Sequence, residues 1–151
     1  MRMTITGSLL VLLVSSAAAQ QEGDVQAGRA QIQAERTKLV SDNLPLTEAE
    51  GKEFWPVYNR YRDEMRLLND RTVALIEAYA KHYEALTDQQ ADTYLKEMHE
   101  VQKAQVDLKR SYVGKFRKVL PPKKVARYFQ IENKMDAMVA YELSQLVPLV
   151  E

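Results

Sequence analysis

The feature that most constrains the fold is a pair of mostly apolar runs whose members follow one another at steps of four or three residues. The first run begins at Phe54 and ends at Leu86, and the second begins at Tyr94 and ends at Val119. A repeat of about 3.5 residues places the members of a run on one face of an α-helix and is typical of helices that pack along their length. The members are Phe54, Tyr58, Tyr61, Met65, Leu68, Thr72, Leu75, Tyr79, His82 and Leu86, then Tyr94, Met98, Val101, Gln105, Leu108, Tyr112, Phe116 and Val119. No stretch alternates as a β-strand does, so the pattern predicts an all-α fold.

Prolines divide the chain into four predicted helices. Pro45 ends the first, and Pro121 and Pro122 end the third, because proline disfavours a helical residue before it and cannot donate a backbone hydrogen bond. For the same reason, Pro56 predicts a kink or a restart early in the second helix. The predicted helices span about 25–41, 48–85, 88–120 and 121–145. The two long ones predict an antiparallel hairpin with one shorter helix on each side, and we expect it to dimerise. The alternative to a dimer is that some tyrosines of the runs remain on an open surface that binds clients.

The two long helices begin with the same kind of sequence, LTEAE at 46–50 and LTDQQ at 86–90. In each, a threonine is followed three residues later by Glu or Gln, which is the arrangement of a capping box. The leucine before each threonine is placed to pack against the following helical turn. The predicted cap residues are Leu46, Thr47, Glu50, Leu86, Thr87 and Gln90.

The N-terminus has the order of parts of a secretory signal peptide. Arg2 is followed by an apolar stretch, and three alanines precede Gln20. The apolar stretch is far shorter than the ~20 residues that span a bilayer, although a retained N-terminal anchor is the alternative. We therefore expect a signal peptide over 1–19, a flexible lead-in over 20–24 and a single all-α domain over 25–151, exported to the periplasm.

Charge and cysteine content exclude several classes of function. The chain has 21 basic and 21 acidic residues. Removing 1–19 deletes only Arg2, which leaves 20 against 21, so the overall charge does not favour nucleic acid. Cysteine is absent, which excludes disulfides, thiolate metal sites and cysteine nucleophiles.

No catalytic motif or strong metal site is found in the sequence. Glycine-rich phosphate loops and the G-x-S-x-G motif are absent, and we expect no enzymatic activity and no cofactor. His82 and His99 are too far apart along a regular hairpin to share an ion within one chain. Weak metal binding across a dimer is the alternative.

An L-T-x-x-Q sequence that opens a long helix, in a small exported all-α protein without cysteine, resembles the LTxxQ-motif family of periplasmic stress proteins. This family includes the Spy- and CpxP-like proteins and their ZraP- and CnrX-like relatives. Leu86, Thr87 and Gln90 match the motif, and Leu46 and Thr47 match a second copy in which Glu50 replaces the usual glutamine. The resemblance covers about residues 45–120.

The resemblance implies a bent helical dimer that binds unfolded or envelope proteins without ATP and limits their aggregation. Some relatives instead inhibit a membrane sensor or bind metal. We therefore expect a chaperone-like or envelope-stress protein. The alternatives are a regulatory subunit or inhibitor that docks on a sensor, and a structural helical oligomer.

The strongest local charge asymmetry lies between Leu108 and Ile131, where basic residues alternate with aromatic ones and no acidic residue occurs. One interpretation is a solvated basic face that complements a helix C-terminus. The other is a cationic, aromatic surface that attracts acidic unfolded proteins, a sensor domain or anionic lipid. The predicted partner-binding residues are Lys109, Arg110, Tyr112, Lys115, Phe116, Arg117, Lys118, Lys123, Lys124, Arg127, Tyr128 and Phe129.

Overall fold

The structure, a computed structural model, describes residue 27 and residues 30–150. Over these residues all regular secondary structure is helical and no strand occurs, which confirms the predicted all-α class. The helices are α1 at residues 30–43, α2 at Glu48–Ala80, α3 at Asp88–Arg117 and α4 at Pro122–Leu146. The predicted signal peptide and lead-in lie outside the described residues.

Contacts group the chain into two units, one up to Asp42 and one from Asn43 onward. The described part of the first unit is most of α1. Its exposed side chains pair along the helix, with Lys38 bonded to Asp42 at 2.5 Å and Gln31 bonded to Glu35 at 2.7 Å. Pairs four residues apart each stabilise a helix by about 0.2–0.5 kcal/mol.

Helix α2 is continuous over 33 residues and includes Pro56 in its third turn. Of the two outcomes predicted at this proline, a kink or a restart, the restart is therefore wrong. The helix tolerates the missing donor because it is capped at Thr47 and because Phe54 and Tyr58, on either side of the proline, are fully buried. It ends at Ala80, earlier than predicted, and a separate 3₁₀ turn follows at Tyr83–Ala85.

The predicted runs form the contact between α2 and α3. Phe54, near the start of α2, lies 5.5 Å from the ring of Phe116, near the end of α3. Tyr79, near the end of α2, stacks on Tyr94, near the start of α3, at 4.9 Å. All members of the runs are buried or half-buried except His82, which is exposed because α2 ends before it.

Helix α4 begins at Pro122, as the sequence predicts. Val125 and Tyr128 are buried, and the Tyr128 ring contacts Phe54 of α2 and Phe116 of α3. Its second half is more open, with Met138 and Tyr141 exposed at 70% and 64%. The segment after α4 is held by a hydrogen bond of 2.8 Å, which the Tyr79 hydroxyl donates to the carbonyl oxygen of Pro148.

Candidate functional site

The aromatic residues of the predicted binding stretch lie mainly inside the protein. Tyr112, Phe116 and Tyr128 are fully buried, and Phe129 is half-buried. The alternation of basic and aromatic residues in this stretch is therefore explained by helices whose aromatic side chains face inward. Phe116 and Tyr128 thus belong to the core, and Tyr112, although buried, also contributes to the wall of a surface cleft.

These rings form one cluster with aromatic side chains from α2. Phe116 lies 4.6 Å from Tyr128 and 5.5 Å from Phe54, and Tyr61 lies 5.2 Å from Tyr112. Offset and edge-to-face pairs at such distances each add about 0.5–1.5 kcal/mol beyond the burial of apolar area. The cluster joins α2, α3 and α4, so it is the core that positions the rest of the unit.

A charged pair lies within this aromatic core. Arg62 of α2 bonds to Glu132 of α4 at 3.3 Å, and the Glu132 side chain is fully buried. The Tyr128 hydroxyl has no hydrogen-bond partner among the described residues. Burial, together with the charge of Glu132, raises the pKa of Tyr128 well above that of a free tyrosine, so its hydroxyl is neutral at physiological pH.

Two of the predicted binding bases are neutralised by carboxylates from other helices. Lys124, in the first turn of α4, bonds to Glu50 at 2.5 Å, and Lys109 of α3 bonds to Asp136 at 2.7 Å. Both lysine side chains are about a quarter exposed. These lysines join helices to one another and contribute little free charge to a partner.

Three further bases also have interactions within the chain. Lys115 lies 3.7 Å above the ring of Tyr112, a cation–π contact. Arg127 donates a hydrogen bond of 2.6 Å to the carbonyl oxygen of Asn43. Lys103, and after it the charge of Arg110, lowers the pKa of Asp107, so Arg110 interacts with this carboxylate without a contact of its own.

The remaining predicted bases, Arg117, Lys118 and Lys123, form no salt bridge with any described side chain and are exposed. They lie where α3 ends and α4 begins. We call these three residues the basic corner. Part of this charge complements the carbonyl end of α3, whose last turn contains Lys115 and Arg117.

A cleft of about 500 Å³ lies beside the basic corner, between α2 and the end of α3. Lys118 and Lys115 contribute to its lining from α3, and Arg60 contributes from α2. On one wall Tyr112 donates a hydrogen bond to Glu64, and burial together with this bond raises the pKa of Tyr112 to about 12. The lining residues are Glu53, Pro56, Val57, Arg60, Glu64, Tyr112, Lys115, Lys118 and Val119.

Sequence reasoning missed a second cleft, of about 360 Å³, between the end of α2 and the start of α3. We call it the tyrosine cleft because the stacked rings of Tyr79 and Tyr94 lie in its wall. The lining residues are Leu75, Ala78, Tyr79, His82, Leu86, Gln89, Gln90, Thr93, Tyr94 and Glu97. The one signal in the sequence was the presence of two tyrosines on facing runs, which does not by itself distinguish a filled contact from an open one.

Both capping boxes are present. Thr47 accepts from the Glu50 amide at 3.2 Å, and the Glu50 carboxylate accepts from the Thr47 amide at 2.8 Å. The corresponding distances for Thr87 and Gln90 are 3.3 and 2.9 Å. The use of Glu50 in the first box, where the second box has Gln90, has a structural consequence, because only a carboxylate forms the salt bridge with Lys124.

Among the described residues, no group of three or more His, Asp or Glu side chains converges to hold a metal ion. His82 and His99 are both exposed. None of the described helices is long and apolar enough to cross a membrane. No protein-family model, curated protein or solved structure matches the chain.

Proposed function

We propose that the protein is an exported, ATP-independent chaperone-like or envelope-stress protein that binds unfolded or partner proteins. The α2–α3 pair would act as a rigid hairpin, and a homodimer of such hairpins would present two copies of the binding surface. The export signal in the sequence and the resemblance to the LTxxQ-motif family support the location and the general role.

The observation that carries the proposal is the uncompensated charge of the basic corner. Lys109 and Lys124 are neutralised by acidic residues of other helices, whereas Arg117, Lys118 and Lys123 are not. A surface with excess positive charge attracts negatively charged chains and raises their rate of association, particularly at low salt. The neighbouring cleft adds the apolar side chains of Val57 and Val119, and its further charges, Arg60 and Lys115 against Glu53 and Glu64, balance one another.

A client of this kind would be an acidic segment that is not folded. The acidic side chains would contact the basic corner, and short apolar side chains would enter the cleft. Because much of the attraction is between exposed charges, the affinity should fall as the salt concentration rises.

The test is the light scattering of an acidic aggregating client, such as reduced α-lactalbumin, with equimolar protein. The wild type should delay aggregation, and the double variant Lys118→Glu with Lys123→Glu should lose most of that delay. The matched control is Lys96→Glu with Lys134→Glu, which has the same net charge but changes exposed lysines outside the basic corner. Equal losses in both variants would show that the corner is not the binding surface.

The second candidate is a regulatory subunit or inhibitor that docks on one membrane-bound sensor. The small size of the basic corner, which has three residues, favours this candidate. It predicts a single saturable partner in pulldowns from envelope extracts and no delay of aggregation for any client. The same two double variants discriminate here, since only the corner variant should lose the partner.

A further inference from the structure

The tyrosine cleft has no role in the proposed function, although its size and lining are those of a binding site. Its volume of about 360 Å³ is within the ~300–1,000 Å³ typical of ligand sites. The stacked rings of Tyr79 and Tyr94, with Leu75 and Leu86, give it apolar walls. A space of this kind accommodates a bulky apolar side chain, as the central pockets of protein interfaces do.

The charge at this cleft is opposite to that of the basic corner. With histidine counted as neutral, Glu97 is the one lining residue that carries a formal charge. Its side chain is half-buried, and no described side chain forms a salt bridge with it. The surrounding sequence, residues 71–100, contains six acidic residues and three basic ones, Arg71, Lys81 and Lys96, of which Arg71 pairs with Glu100. The acidic residues are Glu77, Glu84, Asp88, Asp92, Glu97 and Glu100.

We propose that the tyrosine cleft binds an unfolded polypeptide segment in which a bulky apolar side chain lies next to a lysine or arginine. The apolar side chain would pack between Tyr79, Tyr94 and the leucines. The neighbouring cation would pair with Glu97 and lie over a tyrosine ring, a contact worth more when water is excluded. The site is independent of the basic corner and selects the opposite charge.

The basic corner of a folded second copy does not supply this combination of side chains. The bulky apolar residues beside its bases, Phe116, Leu120 and Val125, are 0%, 4% and 3% exposed. That corner could therefore bring positive charge to the cleft but not a large apolar side chain. An unfolded chain can bring both.

The test uses the full chain and three labelled pentapeptides in fluorescence anisotropy. One peptide alternates lysine with phenylalanine and leucine, the second replaces its lysines by glutamates, and the third replaces its apolar residues by serine. The first should bind, and each of the other two should bind at least about tenfold more weakly, since an unfavourable charge or a lost anchor costs this much or more.

Variants of the protein then locate the site. Glu97→Lys and Tyr94→Ala should each weaken binding of the first peptide by about tenfold or more, and Glu97→Gln, which preserves the shape, by about threefold. The matched control is Asp92→Lys, because Asp92 is an exposed acid on the same helix that does not line the cleft. It should change the affinity by less than about twofold. The corner variant Lys118→Glu with Lys123→Glu should not weaken binding of this peptide, so a failure at either surface is recognised separately.

Three results would overturn the proposal. Equal binding of the lysine and glutamate peptides would remove the charge preference. Equal weakening by Asp92→Lys and Glu97→Lys would show that only the general negative charge of this region matters. A wild-type dimer that becomes monomeric with Tyr94→Ala or Glu97→Lys, measured by light scattering, would show that a second copy occupies the cleft.

Discussion

At one end of the α2–α3 pair, the capping box of Thr47 is followed by a closed aromatic core, whereas at the other the capping box of Thr87 is followed by the open tyrosine cleft. We call these the closed end and the open end. Phe54, in the second turn after the first box, is 0% exposed. Tyr94, at the corresponding place after the second box, is only half-buried.

The difference comes from α4 and not from the capping boxes. Tyr128 of α4 contacts Phe54 at 5.3 Å and Phe116 at 4.6 Å, so a third helix completes the core at the closed end. At the open end the described contact to Tyr79 from the segment after α4 is a single hydrogen bond to Pro148. Equivalent capping boxes thus begin one helix in a packed region and another in an accessible one.

The largest expected effect comes from removing a buried ring at the closed end, and the comparison is the removal of a ring at the open end. Phe116→Ala should lower the free energy of unfolding by about 3–5 kcal/mol, because it removes a fully buried ring and leaves a cavity. Tyr94→Ala should cost roughly half as much or less, since its ring is partly in water already. Chemical denaturation of both variants measures the difference, and equal costs would contradict the distinction between the two ends.

An effect of nearly the same size is expected from the charged pair inside the closed end. Glu132→Ala leaves the Arg62 guanidinium buried without its carboxylate, so it should cost about 3–5 kcal/mol. The matched control replaces both partners, Arg62→Met with Glu132→Leu, and should be close to neutral or stabilising by about 1–4 kcal/mol. A double variant as unstable as Glu132→Ala would show that the Arg62–Glu132 pair stabilises the fold by more than the cancellation of two buried charges.

The sequence predicted the parts of both ends that depend on local pattern. Helix type, the buried face of each run, the start at Pro122 and both capping boxes follow from spacing and from residues within four positions of one another. The continuation of α2 through Pro56 does not follow from local pattern, because packing overrides the local effect of the proline.

The pairing of charges could not be predicted, because the partners are far apart in the chain. Lys109 and Asp136 are separated by 27 residues, Arg62 and Glu132 by 70, and Lys124 and Glu50 by 74. A linear stretch of bases shows an excess of positive charge but not which of them will be neutralised on folding. For the same reason, the burial of Tyr112, Phe116 and Tyr128 depends on how three helices meet, which the spacing of one helix does not determine.

A smaller effect should separate the two capping threonines. Thr47→Ala should lower global stability by about 1 kcal/mol, since its helix begins in the closed end and carries Phe54 and Tyr58. Thr87→Ala removes an equivalent cap at the open end, where local fraying can occur without global unfolding. We expect a smaller change in the denaturation midpoint and a clear increase in amide hydrogen exchange over residues 88–91. Global losses of the same size would show that the open end is as cooperative as the closed one.

The smallest effect distinguishes the two boxes by charge. Lys124, and after it the Thr47 amide, lowers the pKa of Glu50, so the stability that this carboxylate adds is present above its unfolded pKa of about 4.5 and is lost as the pH falls through its lower folded value. Glu50→Gln keeps the side chain that reaches the Thr47 amide, as Gln90 does at the second box, but it cannot pair with Lys124. The wild type should therefore melt at a higher temperature than Glu50→Gln at about pH 7, and the difference should shrink as the pH falls below about 4.5 and through the lower folded pKa of Glu50. Lys124→Met, with Glu50 retained, should remove the larger part of this pH dependence and leave the part due to the cap. A difference in melting temperature that stays constant with pH would show that the glutamate acts only as a cap and does not join α2 to α4.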